Sequence, residues 1–327
     1  MRFIRARERT VRMRSNSHHA IPPLLGGVWQ KEKKARKEIR KKNRKKKSKK
    51  SLNYLEVSKK SCTFALDFKT KAKMLFHEII VGPIRSRRLG RSLGVNLLHQ
   101  EAKICTFDCI YCECGLNFRA ESHQPTRKEV YEALESKLRL MSEAKEGLDV
   151  ITFAGNGEPT THPHFAEIVE DCRILRNKYM PNARLSVLSN ATMLWKKEVV
   201  EALQRVDNNI LKLDSAFDET VRLINQPQQR EYSVARVVEG MKQFQGECVV
   251  QTMFLRGEVN GVKIDNTTER EVEAWLEVIR EVKPRQVQLY SLDRVPPIDT
   301  LVKVEGAELE KIAERVKAMG IETIVTY

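Results

Sequence analysis

Four of the seven cysteines fall within ten residues, in the segment CTFDCIYCEC that ends at Cys114. Cys105, Cys109 and Cys112 have the spacing C-x3-C-x2-C, and three thiolates on one loop can bind three irons of a cubic iron–sulfur cluster. Such binding leaves the fourth iron open for another ligand. The spacing favours a cluster over a structural zinc site, which normally needs two separated cysteine pairs. It also favours a cluster over a redox dithiol of Cys109 and Cys112, which leaves Cys105 unexplained.

The segment CTFDCIYC resembles the CxxxCxΦC signature of the radical S-adenosylmethionine (SAM) superfamily, with Tyr111 as the aromatic residue. The resemblance implies a [4Fe-4S] cluster and SAM as cofactors, with the open iron chelating the amino and carboxylate groups of SAM. It implies that one electron cleaves the sulfonium to methionine and a 5′-deoxyadenosyl radical, which acts on a substrate. It also implies that Tyr111 packs against the adenine, and it leaves Cys114 without an assigned role.

A second segment, GNGEP at residues 155–159, resembles the GGEP motif of the same superfamily, whose backbone and carboxylate receive the SAM ammonium. Asn156 replaces the first glycine of the usual pair, a change we expect to be tolerated because asparagine accepts left-handed backbone angles. Ser189 and Asn190, at the end of the predicted strand 185–189, and Asp214, at the end of the strand 210–214, resemble weaker cofactor contacts of the family. For each of these residues, a purely structural hydrogen bond is the alternative to a cofactor contact. The predicted cofactor contacts are Tyr111, Gly155, Asn156, Gly157, Glu158, Ser189, Asn190 and Asp214, and no catalytic residue is predicted.

Three further segments point to one group within the superfamily. They are GPIRSRRLGRSLG at residues 82–94, CECG at 112–115 and FLRG at 254–257. Together they resemble an Fe–S oxidoreductase group related to the wyosine-type tRNA-modifying synthases. Those synthases carry a second cluster on upstream cysteines, whereas only Cys62 lies upstream here. The arginines 85, 87, 88 and 91 form a local basic patch that could hold a substrate phosphate or carboxylate, or could be a solvated turn with salt bridges.

The charge is divided unevenly along the 327 residues. Residues 1–73 hold 25 basic and 5 acidic side chains, so the net charge of +16 leaves the remaining chain mildly acidic. We expect 1–73 to be a disordered basic tail, because its Lys-rich run cannot bury enough apolar surface to fold. It could contact RNA or a membrane, be merely solvated, or reflect a misassigned start with Met74 as the true one. We favour the misassigned start, which makes residues 74–327 the core domain.

Apolar strand-like runs alternate with helix-like segments after residue 74. The predicted strands are 93–98, 150–154, 185–189, 210–214, 249–255, 287–292 and 321–326. Capping boxes at Thr126 and Thr268 predict two helix starts, and further helices are expected at 162–177, 192–204, 231–245 and 306–319. Six strand–helix repeats predict an α/β fold, a partial (β/α)6 barrel with its chemistry on the loops after the strands.

The sequence also indicates where the protein is located and which partners it needs. No apolar run approaches the roughly 18 residues of a membrane-spanning helix, and the clustered, odd-numbered cysteines are typical of a cytoplasmic protein rather than a disulfide framework. The resemblance implies a low-potential electron donor of the flavodoxin or ferredoxin type. The substrate is unassigned, with tRNA as one possibility. The alternative function class is a metal-stabilised RNA-binding module, which needs neither GNGEP nor the strand–helix repeats.

Overall fold

The computed structural model describes residues 75–327, so the predicted tail at 1–73 lies outside the described residues. The strands are β1 (Ile80–Ser86), β2 (Gly90–Val95), β3 (Val150–Phe153), β4 (Arg184–Ser189), β5 (Asn208–Lys212), β6 (Val249–Met253), β7 (Leu255–Val259), β8 (Val262–Asp265), β9 (Gln286–Tyr290), β10 (Val302–Lys303) and β11 (Glu322–Thr326). Eight strands form one curled sheet in the order β1-β2-β3-β4-β5-β6-β9-β11, and three strands form a small second sheet in the order β10-β7-β8.

All neighbouring strands from β2 to β11 in the large sheet pair in parallel, and only β1 is antiparallel. Each parallel strand before β11 is followed by at least one helix, so the prediction of six strand–helix units in a partial barrel is confirmed. The helices are α1 (Arg127–Glu143), α2 (Phe165–Tyr179), α3 (Lys197–Leu203), α4 (Asp218–Ile224), α5 (Val234–Lys242), α6 (Glu269–Val282) and α7 (Gly306–Lys317).

The two predicted capping boxes differ in the structure. At α1 the box is complete, since Thr126 accepts from the Glu129 amide and the Glu129 carboxylate accepts from the Thr126 amide. At α6 Thr268 caps the helix, but the carboxylate of Glu271 accepts from the hydroxyls of Ser215 and Thr220, both at 2.6 Å. The second box is therefore half formed, because a buried tertiary contact takes the carboxylate away from the cap.

The two faces of the sheet have different chemistry. Side chains such as Leu185, Leu211 and Val287 belong to the apolar core under the helices. The opposite, concave face carries polar side chains that pair across neighbouring strands: Ser92 with Thr152 at 2.9 Å, Asn208 with Ser186 at 2.9 Å, and Gln251 with Gln288 at 3.1 Å. Burial of both faces was predicted, but the apolar runs in the sequence did not show these polar pairs.

Strand β1 was not among the predicted strands, and the turn that joins it to β2 reaches the opposite edge of the large sheet. The Arg87 guanidinium donates to the carbonyl of Tyr327, just after β11, and forms a 2.9 Å ion pair with Asp293. Because β1 and β11 are the two outermost strands, this contact links the two sheet edges. Within residues 75–327, no helix is long and apolar enough to cross a membrane.

Candidate cluster and cofactor site

The cysteine loop follows β2 at the carboxyl end of the parallel sheet and is held by contacts along its whole length. Ile104 pairs with Gly157 in a parallel bridge, and Lys103 pairs with Phe118 in an antiparallel one. The side-chain nitrogen Nδ2 of Asn117 donates to the carbonyls of Cys105 at 3.1 Å and Phe107 at 2.9 Å. These contacts fix the backbone on both sides of Cys105.

The sulfur atoms of two of the predicted ligands accept hydrogen bonds from N–H groups. Cys105 Sγ accepts from the Phe107 amide and from Asn190 Nδ2, both at 3.5 Å, and Cys109 Sγ accepts from Asn225 Nδ2 at 3.3 Å. N–H donors stabilise a thiolate over a thiol and raise the reduction potential of a bound cluster. The donor set therefore fits an iron–sulfur cluster.

The three thiols differ in acidity because their surroundings differ. Burial raises the pKa of Cys109 to about 11 and also raises that of Cys105. The hydrogen bond with Cys114 is the main cause that lowers the pKa of Cys112 to about 6. Cys114 Sγ also lies 3.6 Å from the Gly155 carbonyl oxygen, so the fourth cysteine links the loop to the GNGEP segment.

Lys103 is a buried cation beside these cysteines. Its side chain is 2% exposed, and its Nζ lies 3.4 Å from Asp108 Oδ1. Burial alone would lower the pKa of Lys103, but the nearby cysteine and aspartate charges outweigh it, so the pKa is raised. Lys103 therefore stays positively charged next to the cysteine sulfur atoms.

Among residues 75–327, no three His, Cys, Asp or Glu side chains form a group that would hold a single metal ion. A cubic cluster makes a different demand, since each thiolate binds a different iron. All six cysteines in this part of the chain are free.

The GNGEP segment packs directly on the cysteine loop. A Cβ on Gly157 would lie 2.2 Å from the Ile104 carbonyl oxygen, and one on Gly155 would lie 2.3 Å from Asn96 Oδ1. Both positions also have positive φ, of 150° and 157°. Close packing within the chain thus already requires glycine at both positions.

The backbone of Asn156 does not adopt the left-handed conformation expected from the sequence. Asn156 is absent from the non-glycine residues of 75–327 with positive φ, so left-handed backbone is not what makes asparagine acceptable here. Its buried amide instead donates to the carbonyls of Phe76 at 2.9 Å and His99 at 2.8 Å, and accepts from the Phe76 amide at 2.8 Å. The side chain fixes the segment before β1 to the loop after β2.

We expect Asn156→Gly, which restores the more usual glycine, to lower the free energy of unfolding by about 1–3 kcal/mol, because the partly buried Phe76 backbone N–H and His99 carbonyl lose their hydrogen bonds to this side chain. Urea unfolding followed by circular dichroism measures this change. Asn182→Gly, at an exposed loop position, is the matched control and should shift the midpoint less. Equal midpoints for Asn156→Gly and the wild type would contradict the prediction.

Glu158 joins the ends of β3 and β4. Its Oε1 accepts from the Ser189 hydroxyl at 2.9 Å, and its Oε2 accepts from the backbone N–H of Asn190 at 2.6 Å. Burial raises the pKa of Glu158. The Asn190 side chain reaches back to the cysteine loop, donating to Thr106 Oγ1 at 2.8 Å. The structure thus brings Glu158, Ser189 and Asn190 together beside Cys105.

Tyr111 and Asp214 meet on the other side of the loop. The buried Tyr111 hydroxyl donates to Asp214 Oδ2, which also accepts from Asn225 Nδ2 at 2.6 Å. Burial is the main cause that raises the pKa of Tyr111, followed by the Asp214 charge. The prediction of Tyr111 as an adenine contact and of Asp214 as a cofactor contact stays a prediction.

Three residues near the cysteines were missed by sequence reasoning: Lys103, Asn117 and Asn225. Lys103 and Asn117 flank the motif, but a lysine or asparagine near a cysteine carries no signal of its own. Asn225 lies 116 positions beyond Cys109 in sequence, and no spacing rule connects the two.

Comparison with known proteins agrees with this geometry. A family model described as "Radical SAM superfamily" matches residues 102–262, which span the cysteine loop, GNGEP and strands β3 to β7. The chain belongs to the radical SAM superfamily. As a radical SAM protein it is an enzyme, and its cofactors are SAM and a [4Fe-4S] cluster.

The curated relatives of this radical SAM protein include a UPF0026 protein of Synechocystis sp., 32% identical over 232 residues, which cover 69% of this chain and 80% of the relative. This match places the chain among the UPF0026 proteins. GTPase Obg of Brachyspira hyodysenteriae is 28% identical over 250 residues, but the chain spans only 34% of its length.

Among solved structures, Streptococcus suis SuiB bound to S-adenosylmethionine matches with a TM-score of 0.51 and 15% sequence identity. The match covers 69% of this radical SAM chain and 49% of SuiB. At this identity the likeness shows the shared fold.

Proposed function

We propose that this radical SAM protein binds a [4Fe-4S] cluster through Cys105, Cys109 and Cys112 and cleaves SAM reductively to act on a substrate. The observation that carries the proposal is the packing of the cysteine loop on GNGEP through Ile104 and Gly157. It brings the thiols and the Glu158 region to one place at the carboxyl end of the sheet. When bound, the cluster supplies the electron that converts SAM to methionine and a 5′-deoxyadenosyl radical.

The residues of the chain perform three tasks in this proposal. The N–H groups of Asn190 and Asn225 favour the thiolate form of Cys105 and Cys109, which burial opposes and which iron binding requires. Glu158 Oε2, which accepts one hydrogen bond from the Asn190 amide, has acceptor capacity left for the ammonium of SAM. The backbone at Gly155 and Gly157, Asn156, Tyr111, Ser189 and Asp214 complete the proposed cofactor contacts.

The test is anaerobic reconstitution of the full chain with iron and sulfide, followed by dithionite and SAM. We expect about four irons per chain and formation of 5′-deoxyadenosine, quantified by chromatography. Omission of dithionite is the control and should abolish the product. A reconstituted protein that holds zinc instead of iron and leaves SAM intact would overturn the proposal.

Lys103 is proposed to tune the bound cluster through its charge. We expect Lys103→Met to make the reduction potential more negative by roughly 40–90 mV, because about 1–2 kcal/mol of attraction for the added electron is lost. Potentiometry monitored by electron paramagnetic resonance measures the shift. Lys103→Arg keeps the charge, so its reduction potential should stay closer to that of the wild type. Lys128→Met is the control that removes an exposed charge, since the Lys128 side chain is 82% exposed. Equal potentials for wild type and Lys103→Met would contradict the prediction.

The electron donor is proposed to be a low-potential protein of the flavodoxin or ferredoxin type, consistent with the reductant that radical SAM enzymes need. A tRNA substrate and a cytoplasmic location stay predictions.

A further inference from the structure

The concave face of the sheet carries a buried cation that the proposed cofactor contacts do not use. Lys212, at the end of β5, has a side chain that is 16% exposed. Its Nζ donates to the hydroxyl of Tyr290, at the end of β9, at 2.7 Å. The same nitrogen lies 5.2 Å from the centre of the Tyr111 ring, so Lys212 adjoins the cysteine loop.

A second cation approaches the same tyrosine from the turn between β1 and β2. The Arg88 guanidinium carbon lies 4.9 Å from the centre of the Tyr290 ring, and Lys212 Nζ lies 5.2 Å from it. Arg88 Nη1 is buried, and no hydrogen-bond partner reaches it within residues 75–327. A buried, charged N–H group without an acceptor is costly and calls for a partner.

The other arginines near this turn are engaged elsewhere or face solvent. Arg87 pairs with Asp293, and Arg91 pairs with Glu146. Arg85 is exposed. Of the basic patch seen in the sequence, Arg88 is thus the member whose guanidinium stacks on a concave-face side chain.

The carboxylate nearest to Lys212 is already committed. Asp214 Oδ1 lies 3.6 Å from Lys212 Nζ and accepts from the Met253 amide at 2.8 Å. Asp214 Oδ2 accepts from Tyr111 and Asn225. Despite burial, the Asp214 charge raises the pKa of Lys212, which therefore stays protonated. One carboxylate thus lies beside Lys212, whereas the Tyr290 ring contacts both cations.

We propose that Arg88 and Lys212 bind an anionic oxygen group of the substrate, a carboxylate or a phosphate, beside the Tyr290 ring. This inference rests on the proposed function and assigns the substrate to the anionic class. The guanidinium supplies directional N–H donors and the ammonium a point charge, the combination that suits either anion. Because Lys212 also adjoins Tyr111, the anionic group lies next to the cysteine loop, within reach of a reaction that starts there.

The test uses the reconstituted full chain and two probes, inorganic phosphate and acetate. Phosphate binding is followed by line broadening in phosphorus magnetic resonance, and acetate binding by saturation transfer in proton magnetic resonance. We expect one or both anions to bind the wild type. Arg88→Gln and Lys212→Met should each weaken binding by at least about tenfold, the loss expected for one charge-assisted hydrogen bond. The anion that binds more tightly distinguishes a phosphorylated from a carboxylic substrate.

Two matched variants separate anion binding from folding. Arg87→Gln removes the neighbouring charge and should bind the probes as the wild type does. Arg88→Lys should recover part of the affinity lost in Arg88→Gln. Unchanged affinity in Arg88→Gln, or no binding of either anion by the wild type, would overturn this inference. Failure of the wild type to form 5′-deoxyadenosine would overturn the proposed function instead, so the two failures are distinguishable.

Discussion

Replacing Cys109 by alanine is expected to abolish both cluster assembly and 5′-deoxyadenosine formation. Cys109 is buried, its sulfur accepts from Asn225, and a cluster held by three thiolates has no spare protein ligand. Removal of this thiol leaves one iron without its ligand, in a place from which water is largely excluded. Iron content per chain and product formation after anaerobic reconstitution measure the two effects.

Cys248→Ala is the matched control, since it removes a fully buried cysteine that lies in the apolar core, outside the loop. It is expected to retain iron and to form product, with a loss confined to stability. Cys114→Ala separates the fourth cysteine from the proposed ligands, and we expect it to keep the cluster. A Cys109→Ala protein with a full complement of iron and undiminished SAM cleavage would refute the ligand assignment.

Gly157→Ala is expected to have the next largest effect, because the added methyl group has no room. Its Cβ would lie 2.2 Å from the Ile104 carbonyl oxygen and 2.8 Å from Leu98 Cδ1, in a backbone conformation with φ of +150°. The backbone of Ile104 cannot yield without moving Cys105, the next residue. We expect a loss of about 1–3 kcal/mol in unfolding free energy, together with loss of most of the bound iron.

Gly147→Ala provides the control, since a Cβ there meets nothing within 4 Å. Iron content and SAM binding are measured separately, because they separate two roles of Gly157. Loss of iron indicates that the glycine positions the cysteine loop, whereas retained iron with lost SAM binding indicates a direct contact with SAM. A Gly157→Ala protein with wild-type stability, iron content and SAM binding would contradict both roles.

The amino-acid sequence by itself determined the features that depend on local spacing. The C-x3-C-x2-C pattern of Cys105, Cys109 and Cys112 places three thiols on one loop whatever surrounds them. Apolar runs and helical periodicity predicted the six strand–helix units, and the cap at Thr126 predicted where α1 begins. These signals are legible because the interacting residues lie within a few positions of one another.

Only the tertiary structure decided which side chains meet across long separations. The partners of Asn156 are fixed by how the loops after β2 and β3 pack together. Its side-chain hydrogen bonds, and not a left-handed backbone, therefore account for asparagine at this position. Asn225 reaches Cys109, and Arg88 reaches Tyr290, because the curled parallel sheet brings distant strand ends and turns to one concave face. Strand periodicity predicts that a residue is buried, but the register and curvature of the sheet determine which charge it faces.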